Sequence, residues 1–184
     1  MHNRPIGQHK CDVKAETAMC EITVRAMKSE DWQRVADIYD QGIKTNIATF
    51  QTQVPDWQTW NSSHREDARL VAEKYGSILG FAVLSQVSWR FCYSGVAEVS
   101  IYVAADQRGK GIGKLLLESL VELSEKIGIW TLQSSIDCEN ISSIRLHSSC
   151  GFRIIGYREK ISYDRFGTWR DTVLMERRSK IVGV

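Results

Sequence analysis

Ile101-Tyr102-Val103-Ala104-Ala105-Asp106-Gln107-Arg108-Gly109-Lys110-Gly111-Ile112-Gly113-Lys114 reads as a strand that passes through a glycine-rich turn into a helix. A helix start presents N–H groups without intrahelical partners and a partial positive charge, and glycines let the backbone close on a phosphate without side-chain interference. The turn therefore reads as an anion cradle. A pyrophosphate bound there would gain charge-assisted hydrogen bonds and on the order of 0.3–2 kcal/mol per charge from the helix end. Two better-known nucleotide loops fail on spacing: the segment holds neither G-x-G-x-x-G nor G-x-x-x-x-G-K-[ST], since Leu115 follows Gly113-Lys114.

Working outward, Val96 to Val103 is rich in β-branched residues and long enough for a central strand. Downstream, Ile112, Leu116, Leu120, Leu123 and Ile127 share one helical face, Glu118, Glu122 and Glu125 take the other, and Gly128 is the expected stop. Upstream, Arg69 to Ala72 and Ile78 to Leu84 flank Lys74-Tyr75-Gly76-Ser77 as a hairpin. Before them, Ile22 to Arg25 alternates like a strand. Trp32, Val35, Ile38 and Tyr39 then recur at helical spacing, with Ser29 as the expected cap, and Pro55-Asp56-Trp57 opens a second helix with Pro in its first turn. Thr131 to Ile136 is a strand, Ser142 to Ser149 a short helix, and Phe152 to Ile161 with Trp169 to Glu176 a final strand pair. The order β-α-α-β-β-β-α-β-α-β-β mixes hairpins with strand-helix-strand units, so an α/β fold with helices around a mixed sheet is expected.

The 184 residues, 43% hydrophobic and 25% charged, suit one globular domain over residues 21–184. Residues 1–20 show neither strand nor helix period and are expected to form a poorly ordered extension. A net charge of +2, from 24 basic and 22 acidic residues, leaves no basic stripe, so nucleic acid is not an expected partner. Five scattered cysteines (Cys11, Cys20, Cys92, Cys138, Cys150) contain no C-x-x-C pair, which argues against both a disulfide framework and a metal site. No stretch reaches the ~20 apolar residues of a membrane span, and the N-terminus lacks an apolar signal core, so a cytoplasmic protein is expected.

Arg108, Gly111 and Gly113 form R-x-x-G-x-G directly after Ile101-Tyr102-Val103, and Asn140-Ile141-Ser142-Ser143-Ile144-Arg145-Leu146-His147-Ser148-Ser149-Cys150-Gly151-Phe152 follows at a distance. The first block resembles the coenzyme A pyrophosphate loop of the GNAT superfamily of N-acetyltransferases, and the second its later motif N-x-x-[AS]-x-x-L-[YH]-x-x-x-G-F. Within it, Ala97 to Val103, Ile144 to His147 and Phe166-Gly167-Thr168-Trp169-Arg170-Asp171 resemble the phosphinothricin and methionine sulfoximine acetyltransferases. Phe91-Cys92-Tyr93 and Leu174 to Ser179 are similar to arsinothricin-acetylating relatives. The resemblance covers about Ile22 to Glu176. It implies the mostly antiparallel GNAT sheet, acetyl-CoA as co-substrate without a metal, a small-molecule amine acceptor and a homodimer.

An amine is acylated only when unprotonated, so a base must take its proton. Glu98, mid-strand and on one face with Ser100 and Tyr102 if alternation holds, matches the glutamate given that role in the branch. Its other reading is a structural carboxylate paired with an arginine. His147 stands where many relatives carry an acid tyrosine, and reads either as acid or water relay or as a packing residue. Asn140 either grips the cofactor or caps its helix. The resemblance further implies that Ile101, Tyr102 and Val103 hold the pantetheine arm, that Arg108, Gly109, Lys110, Gly111, Ile112, Gly113 and Lys114 hold the pyrophosphate, and that Ser149 touches the cofactor. Phe50, Arg90 and Tyr93 match the branch's acceptor pocket, where a guanidinium suits a carboxylate or phosphinate. Ser94-Gly95-Val96 and Val99 depart from the branch pattern, so the class implied is a small amino acid or analogue rather than phosphinothricin itself. The rival readings are acetylation of a protein N-terminus or polyamine, and a sensor that binds acyl-CoA without catalysis.

Overall fold

The computed structural model describes residues 22–184, and the extension expected over residues 1–20 lies outside them. The elements are β1 (Thr23–Ala26), α1 (Trp32–Ile43), α2 (Trp57–Ser63), β2 (Arg69–Lys74), β3 (Ser77–Gln86), β4 (Val96–Val103), α3 (Ile112–Lys126), β5 (Thr131–Asp137), α4 (Ile141–Ser149), β6 (Arg153–Tyr163) and β7 (Trp169–Arg178). Their order is the one the periodicities predict. They build one seven-stranded sheet in the order β1-β2-β3-β4-β5-β7-β6, antiparallel except where β4 meets β5.

Both faces of the central strands are covered, which is why these strands read as nearly continuous apolar runs. Leu70, Ala82, Leu84, Ala97 and Val99 pack under Leu116, Leu117 and Leu120 of α3. Val71, Phe81 and Val83 point the other way, onto Val35 and Ile38 of α1 and Trp60 of α2. Each such side chain, fully buried, contributes roughly 1.5–3 kcal/mol relative to exposure. Tyr75 (φ 52) and Gly76 (φ 76) close the β2–β3 hairpin in the two left-handed conformations of its favoured turn. Gly42 lets α1 lie close on β4, since a Cβ there would stand 2.6 Å from the Tyr102 ring.

Two helix starts differ from expectation. Ser29 opens a 3₁₀ turn and does not cap α1, which begins at Trp32. Asp31, the residue before α1, is drawn away from capping because its carboxylate accepts the Lys28 N–H (2.7 Å) and pairs with the Arg25 guanidinium (2.7 Å). Hydrogen bonding to Arg25 holds the Asp31 carboxyl below its ordinary range. Pro55 stands ahead of the α2 cap and outside its first turn, and Asp56 caps the helix by accepting the Thr59 N–H at 2.8 Å.

Candidate active site

The site begins where a ladder stops. β4 and β5 run parallel and pair only at Val96↔Thr131, Ala97↔Leu132 and Glu98↔Gln133. Beyond Glu98, β5 continues to pair with β7 through Asp137, while β4 continues to pair with β3 through Val103. A wedge therefore opens between two neighbours of one sheet. Three hydrogen bonds fix which backbone groups face it: the Gly95 carbonyl accepts the Trp130 and Thr131 N–H groups on the β5 side, and the Ala104 N–H donates to Leu79 on the β3 side. Strand alternation then turns the N–H and C=O groups of Ile101 and Val103 toward the wedge, where the ladder offers them no strand.

At the far end of β4 lies the glycine turn. Gly109 (φ 75) and Gly111 (φ 82) are left-handed, a conformation that costs an L-residue roughly 1–2 kcal/mol. Gly111 is also the N-cap of α3 and has no side chain to bond the first-turn N–H groups, which remain available to an anion. Gly109, Gly111, Gly113, Arg108 and Lys114 line a cavity of about 390 Å³ that reaches Ile101 to Val103. The Arg108 Nε folds back to donate to the Val103 carbonyl at 3.2 Å. Lys110 is exposed and donates to Gln107, Ile112 is buried in the core so that only its backbone serves the turn, and Ser149 donates to the Leu146 carbonyl outside the cleft.

The second cavity, about 250 Å³, adjoins the first at Ile101, Tyr102, Ile47 and Asn140, and holds Glu98, Phe50 and His147 in its walls. Glu98 is half-buried at the apex of the wedge. Among the described residues no lysine or arginine pairs with it, so the alternative of a structural ion pair does not apply there. Ser134 and Ser135, which break the apolar pattern between Leu132 and Ile136, add hydroxyls to this cavity. Asp137 is buried beside them, but its carboxylate is bound by Arg170 at 3.0 and 3.2 Å.

His147 is 1% exposed and stacks edge-on against Phe152. Its Nδ1 lies 2.9 Å from the Ser143 carbonyl, which only an N–H can satisfy, so Nε2 carries the lone pair of the neutral ring. That Nε2 is buried and, among the described residues, has no partner. Burial pushes the His147 pKa below its ordinary value, partly opposed by the Ser143 bond. The ring is therefore built as an acceptor, and an acid role would need a proton that its surroundings disfavour. Asn140 does cap α4, accepting the Ser143 N–H at 3.2 Å, and its amide also donates to the Ile47 carbonyl at 3.3 Å.

Arg90 and Tyr93 stand apart from these walls. They are exposed at either end of the turn before β4, the guanidinium 5.4 Å from the tyrosine ring centroid. The residues that the sequence did not single out come from the α1–α2 loop, Ile47, Ala48 and Thr49, and from Ser134, Ser135 and Asp137 of β5. The Ser134–Ser135 pair between Leu132 and Ile136 was a legible signal, whereas the loop carried none. Among the described residues no group of three or more His, Cys, Asp or Glu could hold a metal ion, and no helix is long and apolar enough to cross a membrane.

A strand edge opened beside a glycine-started helix defines an acetyltransferase of the GNAT type, and the model of the acetyltransferase (GNAT) family matches residues 31–152. The chain belongs to that family. It is 34% identical over 172 residues to the phosphinothricin N-acetyltransferase of Alcaligenes faecalis, covering 90% of this chain and 86% of that protein. It is 36% identical over 162 residues to the L-methionine sulfoximine/L-methionine sulfone acetyltransferase of Pseudomonas aeruginosa, covering 84% and 92%. The crystal structure of a phosphinothricin acetyltransferase from Sinorhizobium meliloti in complex with acetyl-CoA superposes with a TM-score of 0.80 at 28% identity, over 88% of this chain and 90% of that one.

Proposed function

We propose that this enzyme transfers an acetyl group from acetyl-CoA to the amine of a small amino-acid-like acceptor, by direct attack with both substrates bound. The observation that carries the reading is the wedge: the β4–β5 ladder ends at Glu98, leaving an unpaired carboxylate between a strand edge that fits a pantetheine arm and a cavity that fits an amine. When bound, acetyl-CoA supplies the activated acetyl thioester. The uncapped start of α3 with Gly109 and Gly111 holds its pyrophosphate, and the Ile101 and Val103 backbones hold its amides as an added strand would. Glu98 takes the proton of the acceptor ammonium, directly or through water. His147 Nε2 accepts a hydrogen bond from a group in the wedge and so orients it. Asn140 serves as cap and tether in the wall that both cavities share, where it also meets the cofactor.

Among the described residues no lysine or arginine lines the acceptor-side cavity. Recognition of an acidic head group is assigned to Arg90, on the turn leading into β4, or to a cation of a second copy. A homodimer is supported by the apolar side chains exposed along the edge strand and its turn, among them Ile154 (55%), Tyr157 (60%), Tyr163 (63%) and Phe166 (72%). The free thiols of Cys92, Cys138 and Cys150 support a reducing, cytoplasmic setting.

The deciding experiment is a thiol-release assay with acetyl-CoA against phosphinothricin, methionine sulfoximine, arsinothricin, their decarboxylated amines and spermidine. Turnover is expected with an acidic amino-acid analogue and much less with the decarboxylated amines. Preference for spermidine over every analogue would overturn the acceptor class, and thiol release with no amine would overturn acetyl transfer.

A further inference from the structure

The α1–α2 loop forms one wall of the acceptor-side cavity through Ile47, Ala48, Thr49 and Phe50, yet it has no regular secondary structure of its own. Its first residues are held locally. The Thr45 hydroxyl donates to the Gly42 carbonyl at 2.7 Å and accepts the Ala48 N–H at 3.2 Å. The loop also has distant partners: besides the Asn140 amide on the Ile47 carbonyl, one lies much further along the chain. The Asn46 amide donates to the Asp164 carboxylate at 2.9 Å, across 118 positions of sequence. Asp164 is 4% exposed, and its other oxygen accepts the Phe166 and Thr168 N–H groups at 2.9 and 3.0 Å, closing the β6–β7 turn. Asn46 is left-handed, φ 61, a conformation asparagine and aspartate tolerate better than other non-glycine residues.

We propose that Asn46 and Asp164 are a positioning pair: by tying the acceptor loop to the β6–β7 turn, they hold residues 47–50 as a preformed wall and set the affinity for the acceptor. The proposal rests on the reading that the cavity beside Glu98 takes the amine. The reason is entropic as well as geometric. A loop ordered before binding costs the acceptor nothing to order, whereas an untethered one subtracts its ordering from the affinity. The cofactor-side cavity shares Ile47 and Ala48 with this loop, but its pyrophosphate end, at Arg108 to Lys114, is built by the glycine turn and the start of α3 and lies off the loop.

The test uses the full-length enzyme with methionine sulfoximine as acceptor. Asn46→Asp keeps the left-handed backbone and size but opposes two carboxylates. Asp164→Asn alone exchanges the charge-assisted bond for a neutral one, with the Asn46 amide turned over to accept, and so should have the smaller effect of the two. The reciprocal exchange, Asn46→Asp with Asp164→Asn, restores an amide–carboxylate bond with the roles swapped. Asn46→Asp loses the bond to a charged group, so the acceptor KM should rise about tenfold, with kcat within about threefold, and Asp164→Asn should follow with a smaller rise. Acetyl-CoA affinity should hold by calorimetry, and hydrogen exchange at residues 45–50 should speed up. The double variant should recover most of both effects. Unchanged loop exchange, an unchanged KM in Asn46→Asp, or a double variant worse than both singles would overturn the proposal. Loop exchange is read on the protein without acceptor, so a wild type inactive toward every amine sinks the acetyl-transfer reading separately from the Asn46–Asp164 pairing.

Discussion

The two arms of the cleft are built differently. The anion-binding part of the cofactor arm is one stretch of chain, Ile101 to Lys114, whose strand edge, left-handed glycines and uncapped helix start follow one another without a break, although α4 and the α1–α2 loop also line its cavity. The acceptor arm draws its walls from the α1–α2 loop, β4, β5 and α4, joined by Asn140 to Ile47 and by Asn46 to Asp164. The lesson is that an anion site needs only local backbone geometry, whereas a shaped pocket for a small molecule needs groups that tertiary contacts bring together. A lesion in the first arm should therefore act on the cofactor alone, and lesions in the second should divide between rate and acceptor affinity.

The sharpest way to break this comparison is Gly111→Asp. Its carboxylate would stand where the pyrophosphate needs N–H groups, in a backbone conformation that disfavours side chains, and acetyl-CoA binding should be lost by calorimetry. Unchanged affinity would remove the cradle from the argument. Gly111→Asn, which tolerates the left-handed backbone, separates charge from strain and should retain measurable binding.

Glu98→Gln comes next. The amide keeps the shape but takes no proton, so kcat should fall by about 10²-fold with acetyl-CoA affinity kept. The deficit should shrink as pH rises and more of the amine is already deprotonated. A rate within threefold of wild type across the pH range would reduce Glu98 to a structural residue and make the wedge a binding site without a base.

A smaller effect distinguishes His147, inside the cleft, from His64, outside it. Burial lowers the pKa of both from the ordinary 6.5. The unfolded chain then takes up protons near that value while the folded chain does not, so stability is complete above it and is lost as pH falls toward the depressed folded values. Melting temperature should accordingly drop as pH falls below the ordinary histidine value, a window above that of the depressed carboxylates. Either His→Gln change should flatten that drop by about 2–4 °C, and only His147→Gln should also slow turnover. A slope that neither variant alters would show that the rings take up protons alike in both states.

The mildest change is Gly113→Ala. An added Cβ would meet Leu146 Cδ2 at 3.2 Å, so α4 must give slightly, but the backbone there is ordinary helix. Acetyl-CoA affinity should stay within about fivefold, about 1 kcal/mol, the lower end of what overpacking costs. A loss matching that of Gly111→Asp would mean that both glycines touch the cofactor closely and that helix packing is not the reason for Gly113.

What the sequence by itself determined is what neighbouring residues impose on one another. Strand and helix order followed from spacing, the cradle from glycines at a strand-to-helix junction, and family membership from two ordered motifs. Helix starts were less legible, because Asp31 chose between capping α1 and pairing with Arg25, and only the folded geometry decides such a competition. The same holds across the site. Glu98 was legible as a mid-strand carboxylate, but that β5 leaves β4 at that residue is a property of the sheet. His147 was legible as a histidine on a short helix, while its tautomer and its orphaned Nε2 depend on the Ser143 carbonyl and on burial. Asn140 and Asn46 look alike in sequence, and each takes its role from a partner, Ile47 or Asp164, that no local pattern connects to it. Hydrogen bonds within a turn are specified by residues a few positions apart, whereas those that join distant segments exist only once the core has brought their backbones to the same place.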